Sequence, residues 1–344
     1  MKKKYPILFP IACLYGTIVR GHQWLYRSKI LKSVSFDFPV INIGNLSVGG
    51  TGKSPHVEYI YRLLAPSSPT AIVSRGYNRK TQGVQLVTTS SKAIEVGDEP
   101  LQFKIKFPEA LVVVAEKRAI GINFLLEQQA NFQYVLLDDA FQHWSIHPSI
   151  QILLTTYDAP FFEDAVLPMG RLREFRNGAQ RADIIIVTKC SPNISQQEQQ
   201  DYLQKIQPLS HQRVFFSYFE YQMLYPLLHP QEKITFDALK TQKILVVTAI
   251  AQTDYLRQFI EQQYDNVAYL EFPDHHYFSS TDLEAIQQKA QGKIIITTEK
   301  DAMRFYEHQA VIKEQNWAIY VLPIQVQFAF EEAQAFKDSL WNLL

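Results

Sequence analysis

The chain has 344 residues, nearly half apolar and a fifth charged, enough to bury about two domain cores; this excludes a disordered polymer. Lys plus Arg and Asp plus Glu each number 34, so the net charge is zero, which excludes general nucleic-acid binding with its need for surplus positive charge. Two cysteines, Cys13 and Cys190, cannot build a disulfide framework and fit a reducing compartment.

Residues 1–32 break the charge balance. They hold Lys2, Lys3, Lys4, Arg20, Arg27, Lys29 and Lys32, and the first acid is Asp37. Between Lys4 and Arg20 runs "YPILFPIACLYGTIV", shorter than the roughly 20 apolar residues that span a bilayer. "IACLYG" is a poor cleavage site, which argues against a removed leader, and Pro10 argues against lipid attachment at Cys13. The expectation is a retained amphipathic helix on a membrane surface, with Tyr15, Trp24 and Tyr26 at the interface and cations towards anionic headgroups. An ordinary core helix with a solvated basic flank is the alternative.

From residue 37 onwards the pattern is α/β. Strands are expected at 39–43, 70–74, 84–88, 110–114, 134–138, 150–154 and 183–187, most of them apolar on both faces as buried parallel strands are. Helical patterns fall between them, as at Val57, Ile60, Tyr61 and Leu64. Residues 208–236, with Pro208, Pro226 and Pro230, read as a hairpin-like link. A second series follows at 243–249, 266–272, 293–298 and 317–322. The expected organisation is a membrane-associating segment (1–32), a P-loop NTPase-like domain with a mainly parallel sheet and flanking helices (33–212), and a smaller α/β domain that starts with the link (213–344).

The chemistry starts at "PVINIGNLSVGGTGKSP". A strand, a Gly-rich turn and Gly52-Lys53-Ser54 opening a helix make the P-loop arrangement. Ser47, Gly49, Gly50, Thr51 and Gly52 form the loop, whose backbone N–H groups would face phosphate oxygens. Lys53 would reach the β- and γ-phosphates of a nucleotide, and the Ser54 hydroxyl would hold Mg²⁺. Ser47 stands where the strict motif has its first glycine. "YVLLDDAFQHW" adds Asp138 and Asp139 at a strand end, where such a fold orders Mg²⁺; neighbouring side chains diverge, so at most one faces the metal directly. A kinase also needs a base for its acceptor. "VGDEPLQF", with Asp98 and Glu99, and "FPDHHYF", with Asp274, His275 and His276, could each supply it, and the pattern does not choose.

In one order along the chain stand "NIGNLSVGGTGKSP", "SRGYNR", "GDEP", "DDAFQHW", "LPMGRLRE", "FPDHHYF" and "TTEKDA". Together they resemble the tetraacyldisaccharide 4'-kinase (lipid A 4'-kinase) family. The resemblance implies transfer of the ATP γ-phosphate to the 4'-hydroxyl of a tetraacyldisaccharide 1-phosphate, giving lipid IVA. It implies work at the cytoplasmic face of the bacterial inner membrane, by an enzyme docked through its N-terminal helix. It makes Asp98 the base, oriented by His275 rather than His276, and puts Glu99, Asp138 and Asp139 in the metal and nucleotide network. Arg118 and Arg75 offer cations for phosphate, and Tyr77, His143, Arg173 and Glu174 are substrate candidates with Arg75. "TTEKDA" reads as structural. A monomer is expected. The rival readings are a membrane-associated P-loop NTPase driving a protein partner, disfavoured as a GTPase by Ser191 in "VTKCS" where guanine recognition needs Asp, and a non-catalytic membrane adaptor, disfavoured by intact Lys53, Ser54, Asp98 and Asp138.

Overall fold

The computed structural model describes residues 5–344, so Lys2, Lys3 and Lys4 lie outside the described residues. Among these residues the strands are β1 (Val40–Asn45), β2 (Thr70–Ser74), β3 (Gln85–Leu86), β4 (Leu111–Val114), β5 (Tyr134–Asp138), β6 (Ile150–Thr156), β7 (Ile184–Thr188), β8 (Arg213–Tyr221), β9 (Tyr225–Pro226), β10 (Ile244–Thr248), β11 (Val267–Glu271), β12 (Ile294–Thr298), β13 (Ile319–Leu322) and β14 (Ile324–Phe328). They form two sheets, ordered β14-β8-β7-β6-β1-β5-β2-β4-β3 and β11-β10-β12-β13-β9.

β1 lies at the centre of the larger sheet, parallel to both β5 and β6, and every one of its residues is buried. This is why its sequence is apolar without alternation. The helix Lys53–Leu64 follows directly and buries Val57, Ile60, Tyr61 and Leu64 on the face that the apolar spacing marks out. In the smaller sheet β10, β11, β12 and β13 are parallel, so both sheets present a set of carboxyl ends where loops can carry function.

The expected boundary at residue 213 does not coincide with a sheet boundary. Arg213–Tyr221 is a nine-residue strand that pairs in parallel with β7, not the start of a hairpin in the smaller sheet. Its antiparallel partner is β14, far along the chain, with Val326 opposite Phe219. The alternation in "RVFFSYFEY" specifies a strand with two different faces but says nothing of its partner. The chain therefore leaves the larger sheet after β8, builds the smaller one, and returns with β14 and the helix Ala333–Leu343. Phe336 and Leu340 of that helix are fully buried, and Phe336 packs on Phe215, Phe328 and Tyr59.

The N-terminal helix Phe9–Arg27 rests on the larger unit through Ala12 and Gly16. A Cβ on Gly16 would lie 2.4 Å from the Phe175 ring, so the close approach requires glycine there. Arg20 stacks its guanidinium 3.9 Å from the same ring, Tyr15 donates to the Arg173 carbonyl (2.8 Å), and Gln23 donates to Glu174 (2.7 Å). The opposite face exposes Ile11, Leu14 and Ile18, and the short 3-10 turn Pro6–Leu8 before the helix exposes Ile7. No helix among the described residues is long and apolar enough to cross a membrane.

Candidate active site

The carboxyl ends of β1, β2, β5 and β7 meet those of β10, β11 and β12 around a cavity of about 790 Å³. The loop after β1 enters it with Gly49, Gly50, Thr51, Gly52, Lys53 and Ser54. Gly52 caps the helix at φ +86°, and a Cβ there would lie 2.6 Å from Phe219, so both backbone and space demand glycine. Three side chains to which the sequence assigns no such role fix this loop. Asn45 donates to the Thr51 hydroxyl (2.9 Å), Thr188 at the end of β7 donates to the Thr51 carbonyl (2.8 Å), and His56 Nδ1 donates to the Gly52 carbonyl (2.7 Å). His56 Nε2 accepts from the Ser217 hydroxyl at 3.0 Å. Burial pushes the His56 pKa down to about 4, so the ring is neutral at pH 7 and serves as structure. Ser47 is buried, bridges by its backbone to Leu172, and does not line the cavity, which corrects its assignment as a nucleotide contact.

Lys53 Nζ lies 3.6 Å from Asp139, and Arg173 holds the same carboxylate at 3.0 Å. Burial opposes ionisation of Asp139, but Lys53 and Arg173 outweigh it and keep its pKa below the usual range. Asp138 is placed differently. Its Oδ2 accepts from Ser74 (2.9 Å), while its buried Oδ1 has no partner. Burial first, then the charges of Glu99 and Asp139, push its pKa up to about 7. Glu99 in turn accepts from the Ser54 hydroxyl at 2.9 Å. Ser54, Glu99 and Asp138 thus face one region with an excess of negative charge and an orphaned oxygen. No group of three or more His, Cys, Asp or Glu among the described residues could hold a metal unaided. That donor set fits Mg²⁺, which binds through one or two carboxylates and completes its shell with phosphate and water.

Arg118 opens the helix Arg118–Glu127 and is buried, donating to the main-chain carbonyls of Ala115, Asp138 and Asp139. Burial lowers its pKa to about 10, which leaves it charged at pH 7. His143 Nε2 accepts from the Arg118 N–H (3.3 Å), and burial with Arg118, Arg75 and Lys117 nearby lowers its pKa to about 4. Arg75 and Tyr77 are exposed at the cavity rim. Asn78 in their loop takes φ +63°, a left-handed conformation that Asn tolerates where most side chains do not.

The two candidate base segments are brought together. Asp98 opens the helix Asp98–Lys106 after Gly97, and its Oδ1 accepts from the Glu99 N–H at 3.0 Å. Its Oδ2 is paired with Arg304 and lies 3.1 Å from His275 Nδ1, in ion-pair range but off the line of a good hydrogen bond. Asp98 is only 3% exposed and sits behind His275, which lines the cavity. Burial disfavours its charge, yet Lys300, His275 and Arg304 together hold its pKa well below the carboxylate range. The Tyr77 ring packs edge-on against His275 at 4.9 Å. His276 points elsewhere, stacking on Phe272 and bonding Asp282 at 2.9 Å.

Besides Ser47, two assignments differ from the sequence reading. Glu174 does not reach the cavity. It is 1% exposed and its oxygens are taken by Gln23, Gln142 and Arg181, so it ties the N-terminal helix to the body. "TTEKDA" is only partly a structural segment. Asp301 and Arg304 are buried and paired at 2.7 Å, as structure requires, but Lys300 lines the cavity beside His275. Burial alone would lower the Lys300 pKa; Glu99, Asp98 and Asp274 more than offset it and raise it, keeping the ammonium charged.

A glycine loop between a central parallel strand and a helix, Lys53 at the helix start and an acid ending the adjacent strand define a P-loop nucleotide-binding protein, here with an Asp–His pair beside the same cavity. The family described as tetraacyldisaccharide-1-P 4'-kinase matches residues 5–344, and the chain belongs to that family. It is 44% identical over 334 residues to the tetraacyldisaccharide 4'-kinase of Flavobacterium johnsoniae, covering 97% of this chain and 95% of that one. It is 39% identical over 347 residues to the enzyme of the same name from Bacteroides thetaiotaomicron, covering 97% and 91%. Its structure is similar to that of LpxK from Aquifex aeolicus in complex with ATP, with a TM-score of 0.77 and 27% identity over 98% of each chain.

Proposed function

We propose that this protein transfers the γ-phosphate of ATP to the 4'-hydroxyl of a tetraacyldisaccharide 1-phosphate. The observation that carries this reading, beside the family, is the Asp98–His275 pair at the cavity into which Lys53 projects, because an ATPase needs only a positioned water whereas a kinase needs a base for its acceptor. In the transfer, the sugar oxygen forms a bond to the γ-phosphorus, the bond from that phosphorus to the β–γ bridging oxygen breaks, and the hydroxyl proton leaves for Asp98. Lys53 and the loop N–H groups hold the phosphates and neutralise charge as it develops on them. Arg173 and Arg118 fix Asp139 and the end of β5 so that Lys53 keeps its position. Ser54, Glu99 and Asp138 would hold Mg²⁺, which when bound supplies charge neutralisation at the β- and γ-phosphates. Turnover of ATP measured with and without an acylated disaccharide 1-phosphate tests the reading: strong dependence on the acceptor supports it, and equal rates point to an NTPase that drives a partner.

The metal assignment makes a separate prediction. A carboxyl whose pKa is raised on folding loses stability as pH rises through its folded value, here about 7. At pH 8 without divalent cation, Asp138→Asn is therefore expected to melt higher than the parent, and to lose the rise in Tm that the parent gains from Mg²⁺ with ATP. A lower Tm, or an intact response to Mg²⁺, contradicts the role.

The substrate's acyl chains lie in a membrane, and the N-terminal helix suits docking to one at the cytoplasmic face of the inner membrane. Ile7, Ile11, Leu14 and Ile18 form one exposed stripe, and the exposed Lys29 and Lys32 follow just beyond the helix. Replacing the four apolar residues by Gln leaves the packed face of Ala12, Gly16 and Gln23 intact. The variant is expected to lose co-sedimentation with anionic vesicles while keeping its activity on detergent-dispersed acceptor; retained co-sedimentation would place the anchor elsewhere.

A further inference from the structure

Lys300 is the one Lys or Arg among the described residues that the smaller sheet contributes to the cavity. It follows β12 in the first turn of the helix Glu299–Phe305, whose N-cap Thr298 accepts from the Asp301 N–H. Thr248 at the end of β10 also donates to the Asp301 carboxylate (2.8 Å), and Asp301 in turn holds Arg304. The turn that presents Lys300 is thus rigid. Its Nζ lies 3.0 Å from His275 Nε2, 3.6 Å from Glu99, 3.8 Å from Asp274 and 4.0 Å from Asp98.

An ammonium has three donors and no acceptor. At 3.0 Å from Lys300, His275 Nε2 must therefore accept, and the proton of the neutral ring sits on Nδ1, the nitrogen that faces Asp98. Nε2 is then taken by Lys300, and Nδ1 carries the ring proton 3.1 Å from Asp98, off the line of a good hydrogen bond, so neither nitrogen is open to take a proton from an acceptor hydroxyl.

We infer that Lys300 is the positioning residue of the Asp98–His275 pair: it fixes the ring and its tautomer, so that His275 orients and Asp98 alone receives the proton. The inference rests on the reading of that pair as the base. Tyr77 packs on the ring from the other unit, so the imidazole is held from both sides of the cavity. The role also separates Lys300 from Lys53, which stands on the phosphate side with Asp139.

A double-mutant cycle with Lys300→Met, Lys300→Arg and His275→Ala tests it, with Asp98 untouched. Lys300→Met is expected to lower kcat by up to about 10²-fold with little change in KM for ATP, the size of effect that a small misplacement of a reacting group produces. Lys300→Arg, which also only donates, should recover part of that loss. The double variant His275→Ala/Lys300→Met should resemble His275→Ala, because residues acting through one another are not additive. In ¹⁵N spectra of the imidazole, the parent should show Nδ1 protonated and Nε2 accepting, a pattern that Lys300→Met should lose. ATP binding by each variant reports that the fold is kept. If His275→Ala lowers kcat and Lys300→Met does not, or if their losses multiply, the role of Lys300 is overturned while the pair stands. If His275→Ala itself leaves kcat unchanged, the reading of the pair falls and the inference falls with it.

Discussion

Lys53→Ala is expected to lower kcat by about 10²–10³-fold or more, the loss found when one preorganised charge stabiliser is removed from a developing transition state. Lys53 is the first residue of its helix and, among the described residues, pairs only with Asp139, at 3.6 Å. Asp139 keeps Arg173 when Lys53 is gone. The loop is anchored by Asn45, Thr188 and His56, none of which touches the Lys53 side chain through a hydrogen bond. Thermal stability should therefore change little while transfer collapses. Near-parental turnover in Lys53→Ala, with transfer to the same acceptor, would remove the P-loop from the mechanism.

The second large effect is expected at Asp98. The structure shows that truncation is the wrong probe there. Asp98→Ala leaves Arg304, which is 1% exposed, with Asp301 as its remaining ion-pair partner and the Ala249 carbonyl as a weaker acceptor, and breaking a buried ion pair is destabilising by about 3–5 kcal/mol. Asp98→Asn keeps the shape and an acceptor for Arg304 while removing the base. Its kcat is expected to fall by about 10²–10⁴-fold, the span of general-base assistance. His275→Ala should cost less, since the ring only orients, and Asp98→Asn/His275→Ala should resemble Asp98→Asn. His276→Ala should matter little, because that ring stacks on Phe272 and bonds Asp282. Steady-state kinetics of the four variants decide it: multiplicative losses dissolve the pair, and a larger loss at His276 would move the site.

Periodic and local features were legible in the sequence. β1 and the helix after it stand where the apolar run and the spacing of Val57, Ile60, Tyr61 and Leu64 put them. The strand ending in Asp138 was equally clear, because parallel strands buried on both faces leave continuous apolar runs. What failed was partner choice over distance. Nothing in "RVFFSYFEY" names β14: its alternation suggests a local hairpin, and the return of the chain to the larger sheet leaves no mark in that segment. The same limit applies within the site. The strand–loop–helix order exposed Lys53 and Ser54, but Lys300 lies in a charged segment whose Asp301 and Arg304 are buried structure, and only the meeting of two sheets separates its role from theirs. Glu174 shows the converse, a charged residue beside Arg173 that turns inward to Arg181. Buried anchors such as His56 and Thr188 give no sequence signal, because their purpose is a loop carbonyl.

The central claim, phosphoryl transfer from ATP to a sugar hydroxyl, is tested most directly by following the label of γ-³²P-ATP in the presence of a tetraacyldisaccharide 1-phosphate and locating the new phosphate by NMR. The account predicts label in the lipid product, on the 4'-oxygen, with inorganic phosphate a minor product. Label released as inorganic phosphate at the same rate with and without the disaccharide would contradict it.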